Sequence, residues 1–185
     1  GAVVAAAGTA IGLRKLDYER VPRVAVLSAV FFVASLIHVP LGMTSVHLTL
    51  CGLMGLILGW AVFPALLIAL LLQAVFVSFG GLTTLGLNTV LMAVPGVVCY
   101  YHFRPMVQRG DGITIAVAGF AAGATGILAG SLLNAASLWA AGAQFELFGH
   151  AVLVTHVPVA AVEGLIPAQG VVLLKTVRPE MLEAP

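Results

Sequence analysis

Charge is what this chain has least of. Lys and Arg total eight and Asp and Glu seven among 185 residues, so 8% are charged, against about 25% in ordinary soluble domains. The net charge is +1, too small a basic excess to suggest nucleic acid. Cysteine is scarce too. Cys51 and Cys99 sit inside apolar runs without CxxC spacing, so they read as small packing residues and not as a disulfide or redox pair. No carboxylate occurs between Val24 and Gln108. No Walker A loop is present, because Lys175-Thr176 follows Leu174 and not Gly, so the chain has no P-loop ATPase of its own. HExxH and GxSxG are absent as well, which weakens hydrolase readings.

What the chain has is hydrocarbon. Hydrophobic residues make up 61% and the mean hydropathy is +1.14. Several apolar runs reach about 20 residues, enough to cross a bilayer as helices. The reading is an all-α, polytopic membrane bundle, with residues 1–185 forming one integral membrane domain. Seven spans are predicted. The first ends near Gly12, and the others cover roughly Val24–His38, His47–Trp60, Ala61–Phe79, Asn88–Phe103, Ile113–Ala141 and Phe148–Leu174. The third and fourth are separated only by the corner from Gly59 to Pro64. Spans two and three are short, so they tilt little or are partly re-entrant.

Seven spans place all eight Lys and Arg on one side: Arg14, Lys15, Arg20 and Arg23, then Arg104 and Arg109, then Lys175 and Arg178. Positive charge marks the cytoplasmic face, so the N-terminus is expected outside and the C-terminus inside. The first span, GAVVAAAGTAIGL, is shorter than a crossing. About ten to twenty further residues are expected upstream of Gly1, given about 20 per span. It does not read as a signal peptide, because its charges follow the apolar stretch.

Small residues suggest close helix contacts. Span six has Gly119-x-x-x-Gly123 and Gly126-x-x-x-Gly130, and span one has Ala2, Ala6 and Ala10 at the same spacing. Such stripes serve internal packing or dock another membrane protein. Pro40, Pro95, Pro158 and Pro167 would kink helices or bound them.

Polar residues near hydrocarbon are functional suspects. His38 ends span two and His47 begins span three, with Pro40 and Gly42 between them. A turn there can bring both rings to one outer pocket, and imidazole suits Ni, Co, Cu and Zn. Two histidines alone leave a metal site incomplete, so the choice is between a metal completed by other ligands and two interfacial histidines bonded to backbone. The loop Gly80–Asn88 lies on the same side, where Thr83, Thr84 and Asn88 offer hydroxyls and an amide. It is either a lid over that pocket or a plain connection. Span seven carries His150, His156 and Glu163. The last two share a helix face about 10 Å apart, as a buried hydrogen-bond network or a proton relay. His102 is isolated.

SLIHVPLGMTSVHL, LLLQAVFVSFGGLTTLGLN and HVPVAAVEG…KTVRPEML resemble the nickel/cobalt substrate-binding membrane subunits (NikM/CbiM) of energy-coupling factor transporters. The resemblance runs from about Leu13 to Leu182, and its His-Val-Pro and Ser-Val-His wording leans to the nickel branch. It implies a six-helix S-component core plus one extra N-terminal helix. It also implies Ni2+ or Co2+ as the transported substrate. In that family the chain begins Met-His and threads its start into the outer pocket, where the terminal amine, the next backbone nitrogen and imidazoles hold the metal. The internal ligand maps to His47, with His38 accessory and Ser45, Thr83, Thr84 and Asn88 supporting. This sequence departs from the pattern by starting Gly-Ala-Val. Without a Met-His segment, two or three nitrogen donors are missing.

The implied partners are a membrane T-component, for which Ala2, Ala6 and Ala10 are a candidate surface, two cytoplasmic ATPase subunits and a small auxiliary membrane subunit. The implied mechanism is toppling of this subunit in the plasma membrane of a prokaryote. Two other readings compete. One is a stand-alone proton-coupled transporter using His156 and Glu163. The other is a membrane enzyme with a metal in the His-lined pocket, disfavoured by the missing carboxylate.

Overall fold

The computed structural model describes residues 1–41 and 44–182, and for 38–47 the backbone alone. Seven α-helices carry most of the described chain. They are α1 (Ala2–Arg14), α2 (Val21–Ser35), α3 (Cys51–Leu58), α4 (Val62–Phe76), α5 (Leu85–Arg109), α6 (Gly112–Ala141) and α7 (Glu146–Val177). Two strands, β1 (His38–Leu41) and β2 (Thr44–His47), form an antiparallel hairpin between α2 and α3. The all-α expectation is therefore amended at one place. Pro40 cannot continue a helix and pushes Val39 towards extended backbone. The β-branched Val39, Thr44 and Val46 suit a pleated ribbon. So α2 stops at Ser35, and His47, expected to open a helix, sits on a strand instead.

Among the described residues, four segments could cross a membrane by length and composition: Cys51–Phe76, Leu85–Arg109, Gly112–Ala141 and Ala143–Val177. The helices α1 and α2, at 13 and 15 residues, fall short of the about 20 that a crossing needs. The first long segment is not straight. Cys51 and Gln73 line the same cavity, although a continuous helix would hold them about 33 Å apart. The chain turns back through a single turn at Gly59–Ala61. Gly59 has φ 56°, in the left-handed region that glycine adopts without strain. A β-carbon there would lie 2.9 Å from the Tyr100 ring.

Lipid tails are as apolar as leucine, so these helices are held by close packing and not by burial from water. Their outer faces remain apolar and exposed, as at Val33, Phe76 and Val154. Inside, glycine lets backbones touch. A β-carbon on Gly123 would strike the Glu163 carbonyl of α7, and one on Gly126 would lie 3.0 Å from the Gly52 nitrogen of α3. Both Gly-x-x-x-Gly pairs of α6 thus serve packing within this bundle. Helix α1 buries Ala5, Gly8 and Gly12, and leaves Ala2, Ala6 and Ala10 exposed. Pro95, Pro158 and Pro167 lie inside helices and do not bound them.

Long-range contacts gather the cations at one end. Lys15, Arg20, Arg23 and Arg104 line one cleft. Lys175 Nζ donates to the Gln108 carbonyl at 3.0 Å, and Gln108 Nε2 donates to the Leu182 carbonyl at 2.9 Å. At the same end, Asp111 caps α6 by accepting from Thr114 N at 3.0 Å. Hydrogen bonds from the Thr114 side chain and backbone hold the Asp111 carboxyl below the usual carboxylate range.

Gly55 tests the packing most directly, because a β-carbon there would strike the Gly96 carbonyl of α5, whereas one on Gly112 meets nothing within 4 Å. Gly55→Ala is expected to lose about 1–3 kcal/mol through overpacking and Gly112→Ala to lose nothing. Thermal unfolding midpoints in detergent would show this ordering.

Candidate functional site

The hairpin pairs His38 with His47, Val39 with Val46, Pro40 with Ser45 and Leu41 with Thr44. Residues directly opposite in an antiparallel ribbon have α-carbons about 4.5–5.5 Å apart, so the two histidine positions meet at the hairpin's open end. The side chains of His38, Ser45 and His47 lie outside the described residues. Strand β2 packs against α7. Two residues beyond His47, at Thr49 just ahead of α3, the bundle grips the chain.

That grip is a carboxylate. Glu163, in the middle of α7, is fully buried. It accepts from Thr49 Oγ1 at 2.7 Å, from Thr49 N at 3.1 Å, and from Leu50 N. The Thr49 and Leu50 amides can only donate, so the Glu163 carboxyl oxygens are their acceptors. The first amides of a helix have no acceptor within the helix, and Leu50, the residue before α3, makes no capping bond with its own side chain. Glu163 supplies the missing cap from another helix. Leu50 holds φ 47°, uncommon for a residue with a side chain. Thr49 Oγ1 also lies 3.5 Å from Cys51 Sγ.

Beside this anchor lies a cavity of about 190 Å³. Thr49, Gln73, Asn88, Ser131, Asn134 and His156 give it a polar but uncharged lining. Gln73 is 1% exposed, and its Nε2 has no hydrogen-bond partner among the described residues. The Nδ1 of His156 lies 2.7 Å from the Val152 carbonyl of its own helix. Bonding there requires a proton on Nδ1 and leaves Nε2 as the ring's remaining polar atom.

The other residues singled out in the sequence divide. Asn88 reaches the cavity, and its Nδ2 donates to Thr84 Oγ1 at 3.3 Å. Thr84 Oγ1 turns back to the carbonyls of Gly80 and Gly81, so it closes its own loop, and Thr83 is exposed. His150 and His102 bond the carbonyls four residues earlier, at 2.9 and 3.1 Å. Glu163 and His156 are each engaged with other groups. Gln73, Ser131 and Asn134 are additions from the structure. Their one sequence signal is that they are isolated amides and a hydroxyl in otherwise apolar helices. Among the described residues no three of His, Cys, Asp and Glu gather as a metal would require.

An apolar bundle with a strand hairpin pinned into it, and an uncharged polar cavity towards the end away from its cations, defines a class: a multi-pass membrane protein with an internal site. The chain belongs to the CbiM family, described as a cobalt uptake substrate-specific transmembrane region, whose profile matches residues 1–181. A putative metal transport protein of Haemophilus influenzae is 44% identical over 186 residues, covering 98% of this chain and 89% of that one. The fused nickel transport protein NikMN of Rhodobacter capsulatus and the cobalt transport protein CbiM of Geobacter sulfurreducens are each 33% identical, and cover 93% and 97% of this chain. The chain spans 56% of each of those two proteins. Two crystal structures share the fold at 24% identity, a truncated transition metal transporter (TM-score 0.71, covering 96% of this chain and 88% of that one) and a transition metal transporter (TM-score 0.73, 94% and 84%). The protein is a component of cobalt/nickel uptake in the prokaryotic plasma membrane. Relatives named for nickel and for cobalt match equally well.

Replacing Glu163 with Ala leaves the Thr49 and Leu50 amides without their acceptor. At about 1–3 kcal/mol for each buried donor left unsatisfied, the substitution is expected to lower stability markedly, and Glu163→Gln to lower it less. Hydrogen exchange should rise first in the peptide containing Thr49 and Leu50.

Proposed function

We propose that this chain is the substrate-binding subunit of an energy-coupling factor importer, capturing Ni2+ or Co2+ from outside the cell. The observation that carries the reading is the backbone pairing of His38 with His47 on a hairpin pinned two residues later by Glu163. In this reading the bundle crosses the membrane seven times, with its cationic end in the cytoplasm and the hairpin end outside, as the distribution of Lys and Arg favours. His47 is the internal metal ligand and His38 an accessory one. Ser45 and the Gly80–Asn88 loop support a Met-His amino terminus that brings the remaining nitrogen donors. An all-nitrogen planar set favours Ni2+, the ion also favoured by the wording around His47.

The subunit then topples in the membrane to deliver the ion. Two cytoplasmic ATPase subunits supply the energy through a membrane T-component, and a small auxiliary membrane subunit completes the assembly. The exposed Ala2, Ala6 and Ala10 of α1 give the T-component a smooth face to pack on. The stand-alone proton-coupled reading has less support, because the Glu163 carboxylate is already occupied by Thr49 and Leu50.

Calorimetry of Ni2+ and Co2+ binding to the purified protein with a Met-His start is expected to give one tight site, lost in His47→Ala and weakened in His38→Ala. Undiminished binding by His47→Ala would remove the proposed ligand set.

A further inference from the structure

At the cationic end lies a cleft of about 180 Å³ between the α1–α2 turn, the α3–α4 corner and α5. Lys15, Arg20, Arg23 and Arg104 all line it. Arg104 is only 7% exposed, and its guanidinium carbon sits 4.6 Å from the Tyr100 ring centre. Lys15 Nζ lies 5.5 Å from the centre of the Trp60 ring, and Trp60 Nε1 donates to the Tyr101 hydroxyl at 2.9 Å. Arg20 and Arg23 are half-buried.

What Lys15, Arg20 and Arg23 lack among the described residues is an anion at ion-pair distance. Arg178 pairs with Glu180 at 3.4 Å, away from the cleft lining. No described carboxylate comes within ion-pair distance of Lys15, Arg20 or Arg23. Glu180, already engaged with Arg178, is near enough for Arg23 to act on it electrostatically, but it does not line the cleft. Asp17 and Glu19 in the adjoining turn are exposed and do not line it either. Crowding several positive charges into a partly buried space is costly unless a counter-charge enters. Guanidinium forks match phosphate oxygens. The remaining lining includes apolar Val24, Ile57 and Leu58, while Trp and Tyr suit the headgroup level of a membrane.

We propose that this cleft binds the headgroup phosphate of an anionic phospholipid, between Arg20, Arg23 and Lys15, with the start of the lipid's chains against the apolar lining. Basic pockets between membrane helices take such headgroups, and a lipid without net charge would give Lys15, Arg20 and Arg23 no counter-charge. The occupant therefore stabilises the α1–α2 turn against the α3–α4 corner.

The test is native mass spectrometry with lipid titration of the purified protein. Phosphatidylglycerol, phosphatidylcholine and inorganic phosphate are the probes. One phosphatidylglycerol should be retained per chain in preference to phosphatidylcholine. The pair Arg20→Gln/Arg23→Gln should weaken retention by roughly 10- to 30-fold. Arg20→Lys/Arg23→Lys should keep most of it. Arg14→Gln/Arg109→Gln, an equal charge change at exposed positions outside the cleft, should leave it unchanged. Equal retention of both lipids by the unaltered chain would overturn the proposal whether or not the glutamine pair folds. Equal weakening by the outside pair would overturn it too. Full displacement of the lipid by millimolar inorganic phosphate would assign the cleft to a free anion instead.

Discussion

Inside hydrocarbon no water is available to satisfy a backbone amide, so any break in a helix must find its hydrogen bonds within the protein. Between Ser35 and Cys51 this chain breaks for fifteen residues, and the carboxylate of Glu163 is what lets it resume. By accepting from Thr49 and Leu50 it starts α3 inside the bundle. The position of α3 then sets the corner at Gly59 and the return of α4 along the wall of the cavity. A lone carboxylate among apolar helices is costly, and three donors converging on it compensate. The arrangement is asymmetric. Removing the acceptor strands the amides of a segment that cannot move to water, so the hairpin carrying His47 and the helix beyond it depend on one side chain.

The uncharged cavity follows from the same economy of charge. Among apolar residues such as Leu70, Met92 and Ile127, its polar lining consists of amides, hydroxyls and one imidazole, groups a membrane interior tolerates when they bond their own helices, as Ser131 bonds the Leu128 carbonyl and His156 the Val152 carbonyl. Gln73 departs from this habit, since its amide nitrogen is buried with no such bond. The polarity is therefore concentrated where α4, α5, α6 and α7 face one another.

Much of this was legible in the chain because it is local. Apolar runs marked the helices to within a few residues, as at Ile113–Ala141 against the observed Gly112–Ala141. Glycine spacing marked the contact face of α6. Pro40 and Gly42 marked the break after α2. They did not show that the break is a ribbon, because four-residue strands carry too little periodicity to register. Glu163 was visible as an anomaly in α7, but its partners lie 114 and 113 residues away, a separation no local pattern encodes. Thr84 stood out as a hydroxyl in the Gly80–Asn88 loop, and its bonds to the Gly80 and Gly81 carbonyls depend on turn geometry that residue type alone does not encode.

The reversal at Gly59 also governs the parity of the chain. Counted by hydropathy, the 26 residues Cys51–Phe76 are one crossing, which in the proposed seven-span reading would put everything after them on the opposite face, separating Lys175 and Arg178 from Arg14–Arg23. Folded back as two limbs, the same residues add no net crossing, and both termini of the apolar run lie towards the cavity end. In that reading, one left-handed glycine sets the face on which the final hundred residues present their charge.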